Sequence, residues 1–141
     1  MSVEPGEADL VERTRRSLSA GALRDLDAGL MHFAPDAVWD VPQLGGRFAG
    51  TAAIRGFLED WFAAFKEFEV ELQEVLYIGN GVVFVVARSD GLPVGSAGRT
   101  RLRELFAYVV LWVDGAITRV TAYGDVDEAR TAAKRVAGSR D

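Results

Sequence analysis

The amino-acid sequence predicts an α+β domain in which helices cover the concave face of one curved, cone-shaped antiparallel sheet. Three observations carry that expectation. Apolar residues recur at helical spacing through the first part of the chain and alternate with period two from about Glu67, so helices precede strands instead of interleaving with them. Gly79-Asn80-Gly81 and Asp114-Gly115 stand between alternating runs, where tight hairpins need residues that accept positive φ. At 141 residues with no cysteine, the chain has the length of one domain, spanning 1–141, and can bury a core without disulfides.

Each element follows from local chemistry. Leu10, Val11, Thr14 and Leu18 form a helical stripe that Ala20-Gly21 ends. A second short helix from near Leu23 carries Leu26, Leu30 and Phe33 and stops at Pro35, because the residue before a proline is pushed out of helical geometry. Ala37 to Pro42 reads as a strand and Gln43 to Gly50 as a loop. Thr51 then caps the strongest helix, whose Ile54, Phe57, Leu58, Trp61, Phe62 and Phe65 share one broad face. The strand from Glu67 alternates Phe68, Val70 and Leu72 with Glu69, Glu71 and Gln73. Strands follow over Val82–Asp90, Leu102–Val113 and Ile117–Gly124, with a longer turn at Gly91–Gly98. Asp125, with Glu128 three residues on, fits a capping box opening a last helix through about Val136.

Composition excludes several function classes. Lys+Arg 16 against Asp+Glu 21 gives a net charge of -5, opposite to the basic footprint that nucleic acid requires. Zero Cys and a single histidine, His32, remove thiolate zinc sites, iron–sulfur clusters and multi-histidine metal centres. No phosphate loop or dinucleotide fingerprint is present, so no cofactor is expected. The polar, acidic N-terminal segment and the lack of an 18-residue apolar run predict a soluble, cytoplasmic chain without a membrane partner.

Several motifs point to a known family. Asp25-Leu26-Asp27, Phe33-Ala34, Asp36-Ala37, Pro42 and Gly50-Thr51-Ala52-Ala53-Ile54-Arg55 with Phe57 resemble the nuclear transport factor two-like superfamily, and more closely its SnoaL-like and ketosteroid isomerase-like members. Gly79 to Val83, Phe106-Ala107-Tyr108-Val109 and Asp114-Gly115 through Ala122-Tyr123-Gly124-Asp125 resemble the family's closing hairpin, so the likeness spans about residues 8 to 137. It implies a cystatin-like cone but leaves activity open, because this fold hosts isomerases, cyclases, dehydratases, epoxide hydrolases and non-enzymatic modules. The proton-shuttling Asp of the isomerases falls at Val41, their oxyanion-binding Asp at Tyr108, and their donor Tyr near Thr14 or Ser17. Arg88-Ser89-Asp90 resembles the Arg-x-Asp of limonene epoxide hydrolases after a one-residue slip; without it, Ala87 and Ser89 occupy those places, and the third acid falls at Ala122.

Strand parity puts Trp39 and Val41 on one face and Val38 and Asp40 on the other, and the resemblance turns the first pair into the cone. Asp40 is a candidate general base if a bulge turns it inward, against the reading of a solvated strand residue. His32 is a surface or rim residue or a proton shuttle. Tyr108 shares a face with Val110 and Trp112 and is placed in the pocket or in the core. Arg88 and Asp90 are either an exposed pair or a catalytic one, and Glu67, Glu69, Glu71 and Glu74 a solvated face. The expected function is enclosure of a small hydrophobic organic molecule by Trp39, Val41, Leu58, Trp61, Phe62, Tyr108, Val110 and Ala122, with any chemistry a cofactor-free isomerisation, cyclisation or dehydration. The alternatives are a non-catalytic binding or dimerisation module and an epoxide hydrolase. A homodimer through the outer sheet face is expected, because Val82–Val86 and Val109–Val113 are apolar on both sides and need two covers.

Overall fold

In the computed structural model, which describes residues 6–22, 25–95 and 101–139, helices α1 (Glu7–Ala22) and α2 (Leu26–Leu30) lead into strand β1 (Phe33–Val41). A 3-10 turn at Pro42–Leu44 leads to β2 (Gly46–Ala49), α3 (Thr51–Ala63), β3 (Phe65–Gly79), β4 (Val82–Pro93), β5 (Leu102–Val113), β6 (Ala116–Tyr123) and α4 (Val126–Ser139). The strands form one sheet in the order β2-β1-β6-β5-β4-β3. The α+β plan is as predicted.

Both hairpins use the expected turn chemistry. Asn80 and Gly81 have φ of 50° and 82°, Asp114 and Gly115 φ of 51° and 83°, the paired left-handed conformation that matches strand twist. Asp125 Oδ1 accepts from Glu128 N at 2.9 Å, capping α4. Glu67, Glu69, Glu71 and Glu74 are exposed along β3, at the edge of the sheet.

Several features depart from the expectation. Gly50, with φ of 90°, is the N-cap of α3 and Thr51 its first residue, so no Thr51 side-chain cap forms. The early strand begins at Phe33, not Ala37, since Pro35 suits extended backbone as well as it ends a helix, and a register shift between Phe33 and Val38 absorbs the irregular stretch. Gly46–Ala49, read as loop, pairs with Val38–Val41 as β2. The α3 helix stops at Ala63, so Phe65 opens β3, with its ring 4.8 Å from Phe68 and opposite Pro93. Strand β4 continues through Gly91 to Pro93, and residues 96–98 of the expected turn lie outside the described residues. One pairing in the sheet is parallel, β1 with β6; the long connection between them permits it, whereas hairpin neighbours must be antiparallel.

A further difference concerns the layers. Helices α1 and α3 close one face over a core that includes Leu10, Leu18, Ile54, Val83, Val85, Val110 and Val120. Helix α4 lies on the opposite face, where Ala129, Ala132, Ala133 and Ala137 cover Val82, Phe84, Val86, Ala107 and Val109. The doubly apolar strands do have two covers, but the second is the chain's own C-terminal helix, its alanines allowing close approach.

Candidate functional site

The space between α3 and the curved sheet is not filled by side chains. A cavity of about 580 Å³ remains, the size range of small-molecule sites. Strand β1 contributes Trp39 and Val41, and α3 contributes Phe57, Leu58, Trp61 and Phe62. Phe68 and Val70 come from β3, Phe106 and Tyr108 from β5, and Ala122 and Tyr123 from β6, with Ser17, Leu18, Leu26 and Leu30 closing the α1–α2 side. The aromatic rings brace one another: Phe57 stacks on Phe48 at 4.3 Å, and Phe62 lies 5.6 Å from Phe68. Exposed Leu44, Trp61 and Leu105 mark the mouth. Gly124 lets the Gln43 amide pack at this rim, because a Cβ there would lie 2.2 Å from Gln43 Nε2.

The alternation that defines β1 decides the fate of Asp40. Trp39 and Val41 are buried and line the cavity, while Asp40 faces outward. Its carboxylate accepts from Arg119 at 2.7 Å and lies 3.7 Å from Arg47. No bulge turns it inward, since Val38 to Val41 pair in unbroken register with β2. Val110, expected in the wall, is fully buried in the core and does not reach the cavity; Tyr108, two residues earlier on the same face, occupies the wall. Burial raises the Tyr108 hydroxyl above its ordinary pKa, so it stays protonated and able to donate.

The Arg88 and Asp90 pair also lies away from the cavity. Ser89 lines the wall, so the ungapped register holds and its two neighbours point to the outer face. Asp90 accepts from Arg101 at 2.7 Å and from Arg103 at 3.3 Å, and these partners, Arg101 foremost, hold its carboxyl below the usual range. His32 is outside the lining, its ring 6.0 Å from Trp112. Burial, then the charges of Arg13 and Arg16, lower its pKa and favour the neutral ring.

Sequence reasoning missed Glu104 and Phe106, both cavity-lining. The signal was the alternation that assigned Tyr108, since 104, 106 and 108 share a strand face. Glu104 is exposed at the rim and is the single carboxylate among the described lining residues, which carry no Lys, Arg or His. One further polar feature stands out: Trp39 Nε1 is buried with no hydrogen-bond partner. Among the described residues no cluster of three or more His, Asp or Glu could hold a metal ion, and no helix is long and apolar enough to cross a membrane.

The model of the SnoaL-like domain family matches residues 14–120. No curated protein matches the sequence. Among solved structures, a candidate SnoaL-like polyketide cyclase from Jannaschia sp. CCS1 aligns with a TM-score of 0.75 at 20% identity, over 95% of this chain and 97% of that one. TerC, co-crystallized with polyporic acid, aligns with a TM-score of 0.72 at 22% identity, over 89% and 98%. A protein with a ketosteroid isomerase-like fold from Catenulispora acidiphila, in complex with trimethylamine, aligns with a TM-score of 0.71 at 20% identity, over 79% and 84%. At these identities the likeness is one of fold.

Proposed function

The chain belongs to the SnoaL-like domain family, and on that premise we propose that it binds a small, hydrophobic organic molecule inside the cone. The observation that carries this reading is the open cavity of about 580 Å³ with an aromatic wall. A module filled by its own side chains would have Trp39 and Trp61 plugging that space, whereas both rings stand in its wall. Relatives in fold crystallized with polyporic acid and with trimethylamine support a small-molecule role.

Binding without covalent chemistry is the favoured form of this role. The interior offers the Tyr108 side chain as a donor but no base, and Glu104 sits at the rim. Proton transfer of the isomerase or cyclase type would draw on Glu104 and Tyr108, not on Asp40, His32, Arg88 or Asp90. The epoxide hydrolase reading lacks its acids at the matching places, since Asp90 pairs with Arg101 and Arg103 outside the cavity and Ala122 stands at the third place.

A thermal-shift screen with neutral lipophiles tests the reading. A ligand at a hundred times its Kd stabilises the fold by about 2.7 kcal/mol, so at least one lipophile is expected to raise Tm by several degrees. Asp40→Asn should leave that shift unchanged. A flat response across the screen would remove the proposal, and turnover that Asp40→Asn abolishes would restore the general-base reading.

The homodimer is kept as a proposal on narrower ground. With Val82, Phe84 and Val86 under α4, a second copy would use the remaining outer surface around exposed Leu76. Light scattering at micromolar concentration should give twice 15.3 kDa; a monomer mass would overturn it.

A further inference from the structure

Charge is distributed unevenly around the cavity mouth. At this end of the sheet Asp90 is paired with Arg101 and Arg103, and Glu67 with Arg101, and Asp90 belongs to the outer face. Glu104 differs on both counts. It has no ion-pair partner among the described residues, and alternation with Phe106 and Tyr108 sets it on the cavity face of β5. The described lining holds no Lys, Arg or His to offset its charge.

Aromatic rings are built in beside this carboxylate. Glu104 pairs with Ser89 on β4, and Gly91 stands two residues further along on the same face. A Cβ at Gly91 would lie 2.8 Å from the Phe65 ring and 3.0 Å from the Phe68 ring, so the missing side chain lets both rings fold over β4 next to Ser89 and Glu104. Trp61 joins them from α3, 5.6 Å from Phe65 and edge-on to Phe68 at 6.2 Å, and keeps 39% of its surface exposed at the mouth. An unpaired carboxylate and aromatic π-systems both attract an organic cation. An anionic group meets the same carboxylate as repulsion, with no lining cation to compensate its desolvation. We propose, building on the binding role above, that the mouth is a cation subsite. Glu104, with Trp61 and Phe68, selects ligands whose apolar body fills the cavity and whose outer end carries an ammonium group.

Three ligands of one shape test this: 2-naphthylmethylamine, protonated at neutral pH, 2-ethylnaphthalene, in which a methyl replaces the ammonium, and 2-naphthoate. Burial of apolar area alone favours the hydrocarbon. Calorimetric titration of the full chain should nevertheless show the ammonium binding about five- to tenfold more tightly than the hydrocarbon, the scale of an exposed ion pair joined by a cation–π contact. The carboxylate should bind least. Glu104→Gln should bring the affinities of ammonium and hydrocarbon together, with thermal unfolding of the variant separating a lost contact from a lost fold. In the unsubstituted protein the preference should shrink at about 1 M salt, where the screening length is about 3 Å, a readout independent of any variant. An ammonium that binds no tighter than the hydrocarbon, or a preference that survives Glu104→Gln, would overturn the subsite while leaving the cavity as a binding site. If none of the three bound, the binding role and the subsite would fall together.

Discussion

Phe84→Ala is expected to cost about 3–5 kcal/mol of folding stability, the range for truncating a fully buried aromatic ring. Phe84 has no exposed surface and packs with Val82, Val86 and Val109 beneath α4. The Arg130 guanidinium lies over its ring, 4.7 Å from the centroid, a contact that adds to burial. The facing helix residues are alanines, too short to fill the space a lost phenyl leaves, so little of the cost is recovered by relaxation. Urea unfolding should show the loss directly. Ligand affinity should hardly change, because Phe84 faces α4 and belongs to a cluster separate from the cavity side. A loss below about 1 kcal/mol, the scale of an average substitution, would mean that α4 does not cover this face.

The placement of α4 also shows where sequence reading ends. The capping box at Asp125 and the strands apolar on both faces were legible, and so was the need for a second cover. What periodicity cannot state is which surface does the covering. A helix with one apolar stripe fits either face of the sheet, and only the direction of the chain leaving β6 decides between them. The parallel pairing of β1 with β6 escaped for the same reason, since partner choice between strands distant in sequence leaves no local mark. The site divided along similar lines. Period-two alternation placed Trp39 and Val41 inward and Asp40 outward, and the same alternation also carried Ser89, Glu104 and Phe106. Val110 shows its limit: parity selects the face but not the depth along the cone, and the space has given way to packed core by that position.

The central claim is that the space between α3 and the sheet is a binding site, and filling it is the most direct test. Ala122 lines the cavity on β6, directly opposite Tyr108 on β5. Ala122→Phe adds a phenyl ring on that wall, where the open volume accommodates it without forcing core side chains off their rotamers. Calorimetric titration of the neutral lipophile with the largest thermal shift into the unsubstituted and Ala122→Phe proteins, alongside their thermal unfolding, is the measurement. The cavity account predicts that the variant melts at the same temperature or higher and binds at least about a hundredfold more weakly, about 2.7 kcal/mol in binding free energy. Unchanged affinity in a fully folded Ala122→Phe variant would contradict it.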